Sequence, residues 1–320
     1  ENASIVSQRS GFIPTVILDA APPQYAIPGA EGFWDYVTNG SNLNNIVVLG
    51  QNILVSFAST DSLDPRGQTK RVAYYIVSTD GGATWGDPLA VSTLPSMSGY
   101  PEIHTYLSAG VPQVVISGRK YNASNSARGG AWKDAFLGLG SFQGQNVPGE
   151  GRDFFGATLT GDIIGGLSSV PFAASNNPAD TLYFVKYTAS SNSFGTKLKI
   201  GDPALNQTGG SIRYRLAVDG TGNNLLALWY KDSVNASGTG FANSKLMYST
   251  SSNGGTSWGS PQLIQQARGL NSVLAPGDTC GPWFGIDAVY KPNTTSWGVV
   301  WNTLYPKPDN TGLNSGDNQA

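Results

Sequence analysis

Two arginines placed two residues apart give the sequence its clearest potential for binding an anion. In the run Arg213-Tyr214-Arg215, both guanidinium groups point to the same side if the segment is a strand, because strand side chains alternate between faces. A guanidinium binds a carboxylate through paired, charge-assisted hydrogen bonds. Further candidates for such a clamp are Arg119, Arg152 and Arg268. The competing interpretation, which we favour, is that these arginines are surface charges or hold loops in place.

The chain has one cysteine and one histidine, which excludes several kinds of chemistry. Cys280 alone cannot form an internal disulfide or a cysteine-rich metal site. His104 alone excludes any mechanism that needs two imidazoles, including His-Glu-x-x-His zinc chemistry. We interpret His104 as a hydrogen-bonded structural residue and Cys280 as a small buried side chain. The sequence therefore predicts neither a metal site nor a cofactor.

The composition excludes other classes of protein. Charged residues make up 12% of the chain and the formal net charge is -2, so no basic surface predicts nucleic-acid binding. No apolar stretch approaches the ~18 residues that a membrane-spanning helix needs. Aromatic residues are 11% of the chain, too many for a disordered protein. Low charge, 41 glycines and a start at Glu1 rather than Met lead us to expect a mature extracellular protein, secreted or surface-displayed.

The elements that must position these residues are short strands, because β-rich runs bounded by Gly, Asn, Asp and Ser dominate the chain. Helical periodicity is almost absent. The predicted strands are Ile46–Leu49, Asn52–Ala58, Val72–Ser78, Gln113–Ser117, Ala135–Leu139, Leu182–Tyr187, Leu225–Tyr230, Lys245–Ser249, Phe284–Tyr290 and Trp297–Leu304.

The strands recur in a repeated order, which points to one architecture. The segment from Asn45 and the segment from Asn223 share the order of strand, loop, strand, turn and Trp-Gly-x-Pro, about 170 residues apart. Less regular copies fit Tyr100–Phe142 and Phe154–Ile200, and a shortened copy fits Cys280–Tyr305. A unit of roughly 45–55 residues with three or four antiparallel strands has the size of a propeller blade. We predict an all-β propeller of five or six blades, in preference to a β-sandwich or a β-helix.

Two of these units carry the same eight-residue motif. Ser78–Trp85 has the form Ser-x-Asp-x-Gly-x-Thr-Trp, and Ser251–Trp258 has Asn in place of Asp and Ser in place of Thr. The motif resembles the Asp box, or BNR repeat, of the sialidase-like β-propellers. In that family the box is structural and peripheral, so the resemblance implies turn-forming roles for Ser78, Asp80, Gly82, Thr84, Trp85, Ser251, Asn253, Gly255, Ser257 and Trp258.

The resemblance also implies where an active centre would lie. In sialidases an arginine motif opens the first blade, but the corresponding Gly11–Pro14 segment has Phe12 at the arginine position, and Phe cannot clamp a carboxylate. A general acid/base would be Asp61 or Asp64. A Tyr–Glu pair would supply the nucleophile, with Glu102 or Glu150 as its carboxylate and Arg213 and Arg215 as the clamp.

The missing arginine and the small number of glutamates, four in the whole chain, favour a non-catalytic protein. We therefore predict an extracellular binding or self-assembling module, and the alternative is an exo-acting, sialidase-like glycoside hydrolase. Its partners would be glycans, stacked on aromatics such as Trp34, Tyr36, Trp132 and Trp283, or copies of itself.

The domain organisation is predicted to be simple. No linker or block of charge divides the chain, so residues 1–320 are expected to form one domain. The last blade looks unfinished, because the polar segment 306–320 follows its second strand. Residues 1–20 would complete that blade, or a neighbouring subunit or a continuation of the natural chain would do so.

Overall fold

The fold consists of antiparallel strands wherever the structure describes the chain. A computed structural model describes residues 44–60, 70–93, 96–121, 127–149, 151–169, 181–201, 214–234, 241–266, 281–291 and 296–304. Within these ranges the secondary structure is all-β. No helix in these ranges is long and apolar enough to cross a membrane. The proposed closing segment 1–20 and the tail 306–320 lie outside the described residues.

In the described parts of the chain, five antiparallel sheets follow one another. Sheet 1 contains β1 (Ile46–Leu49), β2 (Asn52–Ser59), β3 (Val72–Ser78) and β4 (Leu89–Ala90). Sheet 2 contains β5 (Ser98–Ser108), β6 (Val111–Tyr121), β7 (Ala127–Asp134) and β8 (Phe142–Asn146). Sheet 3 contains β9 (Phe155–Thr160), β10 (Ile163–Ser169), β11 (Leu182–Thr188), β12 (Ser193–Phe194) and β13 (Leu198–Gly201). Sheet 4 contains β14 (Tyr214–Val218), β15 (Leu225–Val234), β16 (Phe241–Ser251) and β17 (Gln262–Gln266), and sheet 5 contains β18 (Gly281–Tyr290) and β19 (Trp297–Leu304).

The sheets pack as the blades of a β-propeller, which confirms the predicted fold class. The first strands of successive sheets contact one another, with β5 against β9, β9 against β14 and β14 against β18. Each pair of successive sheets encloses a hydrophobic core of its own. Leu54 and Ile116 belong to the first core, Phe154 and Tyr187 to the second, and Phe184 and Trp229 to the third. Apolar burial between blades therefore holds the ring together.

The two repeated motifs form turns with matching hydrogen bonds. In the first turn, Asp80 Oδ1 accepts the backbone N–H of Thr84 at 2.8 Å, and Ser78 Oγ accepts that of Gly82 at 2.8 Å. In the second turn, Asn253 Oδ1 accepts the N–H of Ser257 at 2.9 Å. Each turn thus satisfies its own backbone donors through a short side chain. The turns connect β3 to β4 and β16 to β17, at the outer part of their sheets.

Most predicted strands agree with the structure, but Ala135–Leu139 does not. This segment is a turn between β7 and β8, in which Gly138 has a positive φ of 79°. The carboxylate of Asp134 stabilises the turn by accepting the N–H groups of Gly140 and Ser141, each at 2.9 Å. Leu137 packs against the first core, whereas Phe136 and Leu139 are exposed. The apolar run therefore predicted a strand wrongly, because its buried contact comes from a single residue of a turn, Leu137.

Gly255, in the second turn, is expected to tolerate no side chain. Its φ is 80°, and an added Cβ would lie 2.2 Å from Cε1 of the buried Phe184. We expect Gly255→Ala to lower the free energy of unfolding by about 2–4 kcal/mol, because left-handed strain and overpacking add together. Urea denaturation measures this difference.

Gly220→Ala is the matched control, because a Cβ there meets no atom within 4 Å. Equal stability of the two variants would contradict the packing of this turn against the third core.

Candidate functional site

A ring of hydrogen bonds at the propeller axis takes one residue from each sheet. Arg215, on β14, donates from Nη1 to Glu102 Oε1 at 3.4 Å and from Nε to Asp287 Oδ1 at 3.0 Å. Its Nη2 donates to Asn44 Oδ1, just before β1, at 3.2 Å. Gly156, on β9, completes the ring, donating its N–H to Glu102 Oε2 at 2.7 Å and accepting Asn44 Nδ2 at 2.8 Å. One guanidinium therefore links β14 to β5, to β18 and to the residue that precedes β1.

A second cluster of polar groups is built around Asp153, which precedes β9. Arg119 Nε donates to Asp153 Oδ1, and the Tyr214 hydroxyl donates to Asp153 Oδ2 at 3.0 Å. All three residues are at least 95% buried. Within the described residues, Arg119 Nη2 is buried without a hydrogen-bond partner. The cluster thus combines a phenol, a carboxylate that can take its proton, and a guanidinium with an unused donor.

The two clusters adjoin on one face of sheet 2. Glu102 pairs with Ser117 across β5 and β6, so their side chains share a face. Arg119 follows Ser117 by two residues and lies on that face as well. Tyr214 and Arg215 are consecutive on β14 and point to opposite faces of the strand, Tyr214 to the Asp153 cluster and Arg215 to the axial ring. The two clusters are therefore neighbours through Glu102 and Arg119 on sheet 2.

A β-bulge in β5 shapes the edge of this site. The register between β5 and β6 shifts between Gly99 and Glu102, and Tyr100 has a positive φ of 51°, which is rare for a bulky residue. The bulge brings the Tyr100 ring to 5.2 Å from the Arg71 guanidinium carbon and 4.9 Å from that of Arg119. Gly99 leaves room for Arg71, whose Nε would lie 2.6 Å from a Cβ at that position. Backbone strain of this kind is concentrated at functional sites.

The burial of the site changes how its groups ionise. Burial raises the pKa of the Tyr214 phenol well above its usual value, and the Asp153 charge raises it further, while Arg119 opposes both effects. Burial alone would lower the pKa of Arg119, but the charge of Asp153 reverses this and raises it well above the usual range. The phenol is therefore protonated at rest and the guanidinium is charged.

His104 is neutral under ordinary conditions. Its Nε2 shares a hydrogen bond of 2.7 Å with Ser117 Oγ. Burial, together with the positive charge of Arg215, lowers the pKa of His104 to about 3. The imidazole thus supports the face that carries Glu102 rather than exchanging protons near neutral pH.

The structure brings together only part of the predicted site. Glu102 and Arg215 meet in the axial ring, and the further candidate Arg119 lies in the neighbouring Asp153 cluster. Arg152 is partly exposed, and Trp132, proposed to stack on sugars, lies in the core between sheets 1 and 2. The predicted Asp61, Asp64, Glu150 and Arg213 lie outside the described residues, as do Trp34, Tyr36 and Cys280.

Four residues of the site had not been singled out for a role in it, namely Arg71, Asp153, Tyr214 and Asp287. Asp287 was detectable, because it is a single carboxylate inside the apolar run Phe284–Tyr290, where a charge needs a partner. Asp153 sits in a short loop segment that no local pattern distinguishes. In the described part of the chain, no group of three or more His, Cys, Asp or Glu side chains is arranged to hold a metal ion.

A scan against models of protein families and a search of curated proteins both find no match. Among solved structures, the chain is similar to NanB sialidase from Streptococcus pneumoniae, with a TM-score of 0.43 and 10% identity over 87% of this chain and 61% of that one. It is also similar to the catalytic domain of a GH62 alpha-L-arabinofuranosidase from Coprinopsis cinerea, with a TM-score of 0.38 and 12% identity over 71% and 69%. A family 43 arabinoxylan arabinofuranohydrolase from Bacillus subtilis has a TM-score of 0.40 and 11% identity over 86% and 67%.

The prediction of a non-catalytic binding or assembly module is wrong. The similar structures are glycoside hydrolases, and the sequence argument against an enzyme rested on one missing arginine and on scarce glutamates. In the structure, Arg119 and Arg215 pair with Asp153, Glu102 and Asp287, although these residues are far apart in sequence. Arg71 lies over the same Tyr100 ring as Arg119. Counting glutamates failed because aspartates supply two of these carboxylates.

Asp153 is expected to be essential for stability, because it is paired with the buried Arg119. Removing one partner of a buried ion pair leaves an uncompensated charge, so Asp153→Ala should lower the free energy of unfolding by about 3–5 kcal/mol. Urea denaturation measures the loss. Asp162→Ala is the control, since that carboxylate lies at a turn, its Oδ2 accepts the exposed Ser190 N–H, and its loss should cost about 1 kcal/mol or less. A cost for Asp153→Ala no greater than that of the control would contradict the burial of the pair.

His104 should make the protein sensitive to mild acid. In the unfolded chain the imidazole has a pKa of about 6.5, whereas in the folded chain it stays neutral until the pH is far lower. Acid therefore favours the unfolded chain, and the free energy of unfolding decreases as the pH falls below about 6.5. Between about pH 7 and pH 5.2 we expect a loss of about 2 kcal/mol in the free energy of unfolding. His104→Gln should remove most of this pH dependence. If the variant kept the pH dependence of the wild-type protein, His104 would not be the source of the acid sensitivity.

Proposed function

We propose that the protein is a glycoside hydrolase whose active centre is the polar site at the propeller axis. The observation that carries the proposal is the hydrogen bond of 3.0 Å from the Tyr214 hydroxyl to Asp153, beside the Arg119 guanidinium. A phenol is a weak nucleophile until a base takes its proton. Asp153 is placed to take it, and Arg119 is placed to stabilise the resulting charge.

The proposed reaction has two steps. The Tyr214 oxygen attacks the anomeric carbon of the sugar while its proton passes to Asp153, and the bond to the leaving group breaks as the departing oxygen takes a proton from solvent. Water then displaces the Tyr214 oxygen and releases a proton to solvent, and the Tyr214 oxygen regains its own proton from Asp153. Because each step inverts the anomeric carbon, the product would retain the configuration of the substrate. In this proposal Asp153 takes the role that the sequence assigned to Glu102 or Glu150.

The energetic cost of the site supports an enzyme. Burying Arg119 and Asp153 requires each to lose its hydration, and an apolar core would serve stability as well or better. Buried charged groups beside an ionisable phenol are typical of active sites in which protons are transferred. Nη2 of Arg119 is buried without a hydrogen-bond partner in the described residues, which adds to the cost of the site.

Two narrower proposals accompany this one. We propose that the turns at Ser78–Trp85 and Ser251–Trp258 are Asp boxes of a sialidase-like enzyme, on the strength of their shared hydrogen bonds. The expected extracellular location would give such an enzyme access to polysaccharides or glycoconjugates. It stays a prediction.

Tyr214→Phe tests the proposed function. A panel of fluorogenic methylumbelliferyl glycosides, including a sialoside and an arabinofuranoside, first identifies the sugar that the wild-type protein releases. On that substrate Tyr214→Phe should lower kcat/KM by about a thousandfold or more, because the variant lacks the oxygen that forms the proposed covalent intermediate.

Tyr248→Phe is the matched control for that experiment. Its hydroxyl donates to Gln262 at 2.6 Å at the exposed outer part of sheet 4, so activity should be unchanged. Wild-type protein that hydrolyses nothing on the panel, or Tyr214→Phe with full activity, would be evidence against the function proposed here.

A further inference from the structure

Tyr100 is held in a backbone conformation that a tyrosine rarely adopts. Its φ of 51° lies in the left-handed region, which glycine enters without strain and a bulky residue enters only at a cost in free energy. A glycine at position 100 would remove this strain, so the backbone alone does not account for a tyrosine there. The reason therefore lies in what the side chain contacts.

Two neighbouring glycines make room for this conformation. Tyr100 and Pro101 of β5 lie opposite the single residue Gly118 of β6, which makes the segment a β-bulge. A Cβ at position 118 would lie 2.8 Å from the backbone oxygen of Tyr100, so a side chain there would push the two strands apart. A Cβ at Gly99 would lie 2.6 Å from Arg71 Nε. The bulge thus places the Tyr100 ring and the Arg71 guanidinium next to each other.

The Tyr100 ring lies close to two guanidinium groups at once. The guanidinium carbons of Arg71 and Arg119 are 5.2 Å and 4.9 Å from its centroid, and 4.5 Å and 6.0 Å from the centroid of Tyr121. All four residues are at most 9% exposed. Like charges repel more strongly away from water, whereas the negative face of an aromatic ring attracts each cation. The rings therefore offset part of the repulsion between two buried cations.

Arg119 connects this arrangement to the proposed catalytic groups. Its Nε donates to Asp153 Oδ1, which leaves Oδ2 to accept the Tyr214 hydroxyl at 3.0 Å. Its Nη1 donates to the Tyr121 hydroxyl at 3.4 Å. A guanidinium is planar, so fixing it against a ring also fixes the directions of its N–H bonds. The position of Arg119 relative to Tyr100 thus determines how Asp153 faces the phenol of Tyr214.

We propose that Tyr100 is a positioning residue of the site, an inference that rests on the proposed function. The negative face of its ring holds Arg119 in the orientation that aligns Asp153 with Tyr214, and it allows Arg71 to pack beside Arg119. Tyr100 exchanges no proton with the sugar in this role. The strain in its backbone is the cost of placing an aromatic face, rather than an aliphatic side chain, against two cations.

Fluorination of the ring tests this role, because fluorine weakens the negative face of an aromatic ring with little change in its size. Tyr100→Phe keeps the ring and should retain kcat/KM within a few-fold on the sugar identified by the panel of glycosides. Tyr100→Phe carrying one, two or three ring fluorines, introduced by nonsense suppression, should lose about twofold or more in kcat/KM per fluorine, through kcat rather than KM. Tyr100→Leu, which has no ring, should lose about tenfold or more.

Phe194 provides the matched control for the fluorine series. Its ring packs edge-on against Phe154 in the core between sheets 2 and 3, with 4.9 Å between the centroids. Within the described residues no guanidinium or ammonium group lies over this ring. The same fluorines at Phe194 should therefore leave kcat/KM unchanged.

The outcomes separate this inference from the proposed function. Activity that stays constant through the fluorine series would show that the Tyr100 ring only fills space, which would overturn the inference and leave the proposed function intact. Loss of activity already in Tyr100→Phe would assign the role to the hydroxyl and would overturn the inference as well. Wild-type protein inactive on every glycoside of the panel would overturn both proposals.

Discussion

Arg215 makes the contact on which the rest of the site depends. Its guanidinium is almost buried and extends across the axis to Asn44, Glu102 and Asp287, which belong to three other sheets. A buried cation is stable only where acceptors surround it. The blades must therefore converge closely enough for each to contribute a polar group, and that convergence brings Asp153 and Tyr214 into one site.

Apolar and polar interactions have separate tasks in this propeller. Each interface between successive sheets has its own hydrophobic core, and each core includes large side chains such as Trp132, Tyr187 or Trp229. These cores supply most of the burial that drives folding. The axis instead holds charged groups that cost free energy to desolvate. The division resembles that of many enzymes, in which a stable scaffold supports a site that is locally unfavourable.

Sequence patterns predicted the fold better than the site. Strand positions and blade order follow from apolar runs and from the repeated turns, which are local features. Arg215 and Glu102 were candidates because of their residue types. Asp153 and Tyr214 come together only when β9 and β14 become neighbours, a contact between residues far apart in the chain. Ala135–Leu139 was misassigned because the positive φ of Gly138 makes a turn of an apolar segment.

Asn44 uses both atoms of its side-chain amide to connect elements at the axis. Its side-chain oxygen accepts from Arg215, its side-chain nitrogen donates to Gly156 O at 2.8 Å, and its backbone oxygen accepts from Ile103 N at 2.7 Å. An amide offers a donor and an acceptor on two separate atoms of one short side chain. Hydrolysis of that amide to a carboxylate would place two oxygens face to face where a hydrogen bond now joins two sheets. Spontaneous deamidation, a slow ageing reaction of proteins, would thus loosen the axis of the propeller at Asn44 while leaving Arg215, Glu102 and Asp287 chemically unchanged.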